Sequence, residues 1–402
     1  AEPKVTGGLS ACRQRLSGPT MSRHALAPGI AEVLDGIEEA SPLIRQRAAE
    51  NEINRHLDEG TIGALQAAGV FRIGVPRRFG GLGATTREQI DIARAVARAD
   101  GSAGWVTGLL NSGAYAVGWF LLEAQQEVFA NGPDTRVSIM LAPSSMAAEV
   151  AGGYRLSGEW RYNSGSWHST WAILGAPLHD DAGRFEDNAI VLVPRQDLEY
   201  KDTWHVARLK STASNTYTAH DIFVPEHRVL RMTPALKGAY PGVDKHSADV
   251  HRAAFIPELE AQLLGAHLGM GDTVLDLVRE AAPTKSIAYT TYMCQADSVP
   301  FQLELARAAL LLEAAELFAY RTADEIDDAA SSGTYLDYAA RARQRGQQSQ
   351  VVSNVRTAVD SLMTAHGSAG FAESSVLQRF WRDQAIAARH GLTLPDTGLE
   401  VY

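Results

Sequence analysis

The spacing of apolar residues changes twice along this chain. From residue 29 to about 130 they recur at helical intervals, as in Ile30, Val33, Leu34 and Ile37, then Ile62, Leu65 and Ala68 before Gly69. Asp100-Gly101-Ser102 opens a longer apolar stretch holding Trp105, Leu109, Leu110, Tyr115, Trp119 and Phe120, which reads as a buried helix. Between these lies Val75-Pro76-Arg77-Arg78-Phe79-Gly80-Gly81-Leu82-Gly83, a turn-rich loop. It is not a dinucleotide fingerprint, because no strand–helix unit with the required glycine spacing surrounds it. Near residue 131 the texture shifts. Asn131-Gly132-Pro133-Asp134 is a turn cluster, and short strand-like runs follow at 137–141, 154–162, 171–176, 189–193 and 216–224. From about 250 the pattern is helical again. Val351, Val355, Val359 and Leu362 share one face. On another helix Glu304, Arg307, Glu313 and Glu316 mark the polar face, and Leu303, Leu310, Leu311 and Phe318 the apolar one. The expected organisation is an N-terminal extension (1–28), a helical domain (29–130), a small β domain (131–235) and a C-terminal helical bundle (236–402).

Composition narrows the class without changing that picture. The 402 residues, 45% hydrophobic and 21% charged, suit a soluble globular protein with a large core. A net charge of -10 argues against nucleic acid or an anionic membrane surface as the main partner. No apolar run approaches membrane-spanning length. Two cysteines, Cys12 and Cys294, make neither a disulfide framework nor a metal site and fit a reducing cytoplasm. Residues 1–20 carry basic groups but no secretory core, and Met21-Ser22 reads as a natural start.

Three stretches carry candidate chemistry. Residues 158–171 place Trp160, Trp167 and Trp171 among Asn163, Ser164, Ser166 and Ser169. Flat aromatic walls with a few hydrogen-bonding groups suit a planar ligand, and a strand pair with core tryptophans reads equally well. Residues 208–215 set Lys210 beside Ser211, Thr212, Ser214 and Asn215, able to hold a phosphate or a polar ring edge, or simply to be a solvated loop. The third stretch, 377–390, is predicted as one helix ending at Gly391. It places Asp383 and His390 seven residues apart, hence on one face. His390 is either a positive cap on the helix dipole or an acid–base group.

The order helical, β, helical, with "PRRFGGLG", "GYRLSGEWRYNSG", "LKSTASN" leading to "DIFVPEHRV", and "LQRFWRDQAIAARH" at these intervals, resembles the acyl-CoA dehydrogenase fold over nearly everything after residue 29. That resemblance implies a helical domain, a β-barrel domain and a C-terminal four-helix bundle. In the dehydrogenase branch the last motif resembles R-D-A-K-I-x-x-x-Y-E-G-T, whose glutamate removes the substrate α-proton. Aligned on Arg382-Asp383, this chain has His390 at the tyrosine and Gly391 at the glutamate. The pattern is similar instead to the oxygenase components of two-component flavin-dependent monooxygenases, such as the 4-hydroxyphenylacetate and steroid-ring 3-hydroxylases.

That resemblance implies reduced FAD or FMN delivered by a separate NAD(P)H:flavin reductase, O2 as co-substrate, a C4a-hydroperoxyflavin, and hydroxylation of a phenol- or indole-type ring. It also implies a homotetramer. The matching catalytic residues are His390 as base, Ser164 beside the flavin, and Asp383 orienting the imidazole or pairing with Arg382. Trp160, Asn163, Ser164, Lys210, Thr212 and Ser214 are the expected flavin contacts, and Trp167, Asn111 and Tyr115 the expected substrate contacts. Two departures bear on this. No aspartate follows Asn215 where the related loops carry one, and Leu110-Asn111-Ser112-Gly113-Ala114-Tyr115 lacks a histidine often found on that helix. The second departure implies a substrate other than a simple phenol. An acyl-CoA dehydrogenase and an N-oxygenase of an amino sugar are the alternatives.

Overall fold

The computed structural model describes residues 26–27, 29–142, 145–243 and 250–402. Most of the expected N-terminal extension, with Cys12 and Met21, lies outside the described residues. The N-terminal part holds α1 (Ile30–Asn54), α2 (Glu59–Ala67), α3 (Thr86–Ala97), α4 (Gly101–Val117) and α5 (Leu122–Val128). Their starts follow local chemistry. Asp58 and Asp100 each accept a backbone N–H of the first turn they precede, and Thr85 with Glu88 closes a capping box on α3. Every residue of α4 is buried, so this helix is the post around which the rest packs. Its glycines allow close approach. A Cβ at Gly113 would stand 2.0 Å from the Val137 carbonyl, which brings the first strand against the helix.

The strands are β1 (Val137–Met140), β2 (Ser145–Val150), β3 (Gly153–Asn163), β4 (Trp171–His179), β5 (Phe185–Pro194), β6 (Glu199–Lys201), β7 (Asn215–Pro225) and β8 (Val229–Arg231). They form one mixed sheet in the order β6-β7-β3-β2-β4-β5-β8, with β1 paired to β4 in parallel register, Val137 opposite Trp171. The five runs legible from alternation all appear as strands. The short β2, β6 and β8 were not anticipated, because three to six residues carry too little alternation to register. Trp160 and Tyr217 are fully buried on the inner face with Leu174 and Val191.

A short α6 (Met232–Ala235) leads to the C-terminal helices α7 (Phe255–Ala281), α8 (Val299–Ser332), α9 (Tyr338–His366), α10 (Val376–Ala387) and α11 (Pro395–Val401). Helices α7, α8 and α9 pack mutually, and α10 lies against α7 and α9. Arg94 of α3 joins the two helical parts through Asp272 of α7 at 2.7 Å and Glu316 of α8 at 2.9 Å. Val351, Val355, Val359 and Leu362 line the bundle core as expected. The apolar face assigned to α8 needs correction. Leu303 and Leu310 are 51% and 65% exposed, whereas Phe301, Ala308, Leu312, Ala315 and Ala319 are buried. Leu311 and Phe318 are partly buried against the core as expected, while Ala308, Ala315 and Ala319 let the helices approach closely and leave Leu303 and Leu310 outside. Among the described residues no helix is long and apolar enough to cross a membrane.

Trp160 is a core residue and does not wall a ligand. Its ring is fully buried, and its indole N–H donates to the Gly175 carbonyl at 2.8 Å. Trp160→Phe is therefore expected to cost about 1–3 kcal/mol through a lost hydrogen bond and a small void. Affinity for reduced flavin should be unchanged. Urea unfolding and a flavin titration on the same variant check both parts.

Candidate active site

A cavity of about 630 Å³ opens where α4, β1, the 204–214 loop, α7 and the end of α10 meet. Its wall is mostly apolar: Trp105 and Leu109 of α4, Ile139 and Met140 of β1, Trp204, Val206 and Leu209 of the loop, Leu259 of α7, and Ile386 and Leu392 around the end of α10. Ser112, Ser164, Ser214, Tyr162 and His390 supply the uncharged polar groups. Among the described residues, Arg389 is the one formally charged side chain lining it, and no aspartate or glutamate does. Volume and composition are those of a site for a flat, mainly apolar ligand with a few oriented contacts.

Ser164 sits on the turn after β3, where Tyr162 (φ 68°) and Gly165 (φ 73°) adopt left-handed backbone. Leu209 (φ 47°) and Ala213 (φ 45°) do the same in the facing loop. Three non-glycine residues in that region, all within the two segments beside the cavity, mark backbone held by its surroundings. Gly165 N–H donates to the Thr212 carbonyl at 2.8 Å and joins the two segments.

Hydroxyls continue that link. Thr212 Oγ1 donates to the Leu209 carbonyl at 2.8 Å. Ser214 Oγ lies 2.7 Å from Thr212 Oγ1, and Ser164 Oγ lies 2.7 Å from Ser214 Oγ. With the Thr212 proton on the Leu209 carbonyl, Ser214 donates to Thr212 and Ser164 to Ser214. In that arrangement Ser164 turns lone pairs to the cavity, an acceptor for an N–H donor.

Asp383 organises this chain from the other side. Its Oδ1 accepts the Leu209 N–H at 2.8 Å, and its Oδ2 accepts the Ser102 hydroxyl at 3.3 Å. It neither orients His390 nor pairs with Arg382, which contacts Glu52 at 2.6 Å instead. The expected shared face fails because α10 ends at Ala387, and His390 lies beyond it in a turn. Two residues outside the helix are enough to rotate the ring away. Burial raises the Asp383 carboxyl to about 7, with the nearby Asp100 adding to it and the Leu209 N–H opposing it.

His390 lines the cavity with Trp105 packed edge-on against it, ring centroids 5.4 Å apart. Its Nδ1 is sealed without a hydrogen-bond partner, so Nε2 is the nitrogen left to meet a ligand. Burial, with a smaller contribution from the Arg345 charge, lowers its pKa to about 4. The ring is neutral at pH 7 and able to take a proton. His267 of α7 also meets Trp105 edge-on, ring centroids 5.8 Å apart, and burial lowers it to about 4.

The other expected contacts separate. Asn163 turns inward and donates to the Trp160 carbonyl at 2.6 Å, bracing the Ser164 turn without lining the cavity. Lys210 lies 3.9 Å from Glu52, and Thr212 acts within the hydroxyl chain. Trp167 is 51% exposed and stacks on His56 at 4.4 Å, so it is no cavity wall. Asn111 bonds back to the Thr107 carbonyl, and Tyr115 donates to the Val250 carbonyl inside the core. Their neighbour Ser112 is the one that faces the cavity. The aromatic walls are Trp105 and Trp204. Trp105 was visible only as one of several apolar residues on a buried helix, and Trp204 stands in no pattern at all.

Comparison with known proteins agrees with this geometry. Residues 36–131 match the acyl-CoA dehydrogenase N-terminal domain and residues 263–395 the acyl-CoA dehydrogenase C-terminal domain. The chain is 30% identical to the flavin-dependent monooxygenase oxygenase subunit HsaA of Rhodococcus jostii, over 90% of this chain and 94% of that one. This chain belongs to the flavin-dependent monooxygenases of the acyl-CoA dehydrogenase fold. This monooxygenase is also 32% identical to the FADH2-dependent resorcinol hydroxylase oxygenase component of a Rhizobium species, over 87% of each chain. The solved structure of XiaF from a Streptomyces species, in complex with FADH2 and glycerol, superposes on the monooxygenase with a TM-score of 0.87 at 34% identity, covering 93% of this chain and 94% of that one.

Two outcomes follow from the geometry. Asp383→Asn keeps an acceptor for Leu209 N–H and should retain near-wild-type stability. Asp383→Ala should lose about 1–3 kcal/mol by leaving that donor unpaired, measurable by chemical denaturation. For pH, a histidine whose folded pKa lies near 4 binds fewer protons than its unfolded counterpart between about 6.5 and 4. Stability is therefore full above pH 6.5 and declines as pH falls through that window. His267→Gln should flatten the decline in melting temperature between pH 7 and pH 4.5.

Proposed function

We propose that this protein is the oxygenase component of a two-component system that hydroxylates a phenol- or indole-type aromatic ring, with His390 as the base. The observation that carries this is a histidine kept neutral by burial in an apolar cavity that, among the described residues, has no carboxylate in its wall, with Ser164 lining the same cavity as an acceptor. A reduced flavin suits the residues present. Its N5–H is a donor that matches the lone pairs of Ser164, and the cavity is large and apolar enough for a ring system. When bound, the flavin supplies oxygen activation from O2. The relatives named for FADH2 support FAD, and their names as oxygenase subunit or component support a separate reductase.

The protein's own part is orientation, dryness and proton transfer. Trp105, Leu109, Ile139 and Leu259 exclude water from the reacting ring. His390 takes the phenol O–H or indole N–H proton, which raises electron density on the carbon that is oxygenated. Gly391 also lines the cavity, and a Cβ there would meet nothing within 4 Å. A dehydrogenase base at this position would fit sterically but is absent, which disfavours α,β-dehydrogenation. An amine substrate is disfavoured because Arg389 carries the only lining charge among the described residues. A homotetramer fits the unpartnered face of α8, where Val299, Leu303, Leu310 and Leu317 are all more than half exposed.

His390→Ala should lower hydroxylation by about a hundredfold to ten-thousandfold. Oxygen uptake should continue and appear as hydrogen peroxide. Product and peroxide are quantified together with indole and a panel of phenols, using flavin reduced in the assay. Full hydroxylation by His390→Ala would remove the histidine from the chemistry. Ser164→Ala should raise peroxide release per oxygen consumed with the substrate present, and an unchanged ratio would exclude Ser164 from the flavin contact.

A further inference from the structure

We propose that Arg345 and Glu260 form a buried positioning pair behind the cavity wall, which fixes the turn carrying His390 and sets a positive charge against its ring. The turn needs such a fixture. Helix α10 ends at Ala387, and the segment beyond it is held by few local bonds: Arg389 N–H to the Ile386 carbonyl, His390 N–H to the Ala387 carbonyl, and Thr393 N–H to the His390 carbonyl. Gly391 brings no side chain, and nothing packs where its Cβ would be. The tie from outside the turn is Arg345 of α9, whose Nη2 donates to the Gly391 carbonyl at 3.3 Å.

Arg345 is itself anchored. Its side chain is 12% exposed and ion-paired with Glu260 of α7, whose side chain is 1% exposed. Glu260 follows Leu259, which lines the cavity. Two bundle helices thus meet at one guanidinium, and that guanidinium reaches the backbone beside His390. A buried pair of this kind is a costly way to gain stability, since apolar residues of the same volume often do as well or better. Its placement behind a catalytic turn gives it another use. Arg345 Nη1 meets Glu260 as a charge contact without hydrogen-bond geometry, and the directed bond of the guanidinium is the one from Nη2 to the Gly391 carbonyl, which fixes its angle to the turn.

The charge acts as well as the tether. The groups around His390 are Arg345 from α9, His267 from α7 against Trp105, and Arg389 within the turn, while Trp105 of α4 brings no charge. The positive charge of Arg345 opposes protonation of His390 in the resting protein. A base that stays unprotonated before substrate arrives is available over a wider pH range.

This inference rests on His390 acting as the base, and the test separates the two. Imidazole NMR titration of histidine-labelled protein without flavin, with the His390 signal assigned from His390→Gln, reads the charge effect directly. Single turnovers with reduced FAD, O2 and indole read the position. In Arg345→Gln the His390 midpoint should move to higher pH, and the hydroxylation rate should fall about 10–100-fold with little change in indole affinity. Arg345→Lys should keep the midpoint near wild type yet leave the rate low, because the charge remains and the fork is lost. If Arg345→Gln does not fold, the neutral double variant Arg345→Gln/Glu260→Gln should show the same loss of rate and upward midpoint. An unshifted midpoint and wild-type rate in a folded Arg345 variant would overturn the proposal. Should His390→Ala hydroxylate fully while the midpoint still responds to Arg345, the base assignment fails and the electrostatic pairing stands.

Discussion

One hydrogen bond ties the site together: the Leu209 N–H to the Asp383 carboxylate, 2.8 Å long and fully buried. It connects α10 of the bundle to the loop before β7. Through the Leu209 carbonyl it also reaches Thr212, Ser214 and Ser164, so a residue on one side of the cavity sets the direction of a hydroxyl chain on the other. Leu209 holds a left-handed backbone that its side chain does not favour, at a cost of order 1 kcal/mol or more. Asp383 on the Leu209 N–H and Thr212 on the Leu209 carbonyl hold the two peptides that flank this residue and account for its persistence.

The second constraint is dryness. The cavity wall contains three serines, one tyrosine, one histidine and one arginine among apolar neighbours. Taking an imidazole out of water disfavours its charged form, which is why both His390 and His267 stay neutral. The same desolvation raises Asp383. One physical cause therefore keeps the imidazole neutral with no carboxylate beside it among the described residues. A Ser–His–Asp style of reasoning, in which an acidic partner holds the imidazole, does not apply to this monooxygenase. Trp105 and the backbone of the 388–392 turn place the ring instead.

The fold was legible from pattern wherever a segment was long and regular. The helical stretches before 131 and after 250 and five of the strands follow from hydrophobic spacing, and the start of α4 from Asp100. Small elements were not legible, nor was the inner face of α8, where the helices meet through alanine and leave Leu303 and Leu310 outside. At the site, Ser164, Ser214 and His390 were legible because short motifs carry them. Trp160 and Trp167 were misread as walls because a tryptophan beside a polar turn has the same local signature in a barrel core, on a surface, or in a pocket. Trp105 and Trp204, the actual walls, come from segments 99 residues apart in the chain and share no pattern.

By itself the sequence determined the succession of helical, β and helical segments, the flavin-dependent monooxygenase family, and the presence of histidine with glycine where a dehydrogenase keeps its glutamate. Those are properties of local spacing and short motifs, which survive without knowledge of what packs against what. Tertiary structure alone decided that α10 stops before His390, that Asp383 serves the Leu209 loop, and that Arg345 reaches the turn carrying His390. Each of these is a contact between groups far apart in the chain, and burial sets both its partner and its protonation state. No linear pattern encodes a distance that only folding creates.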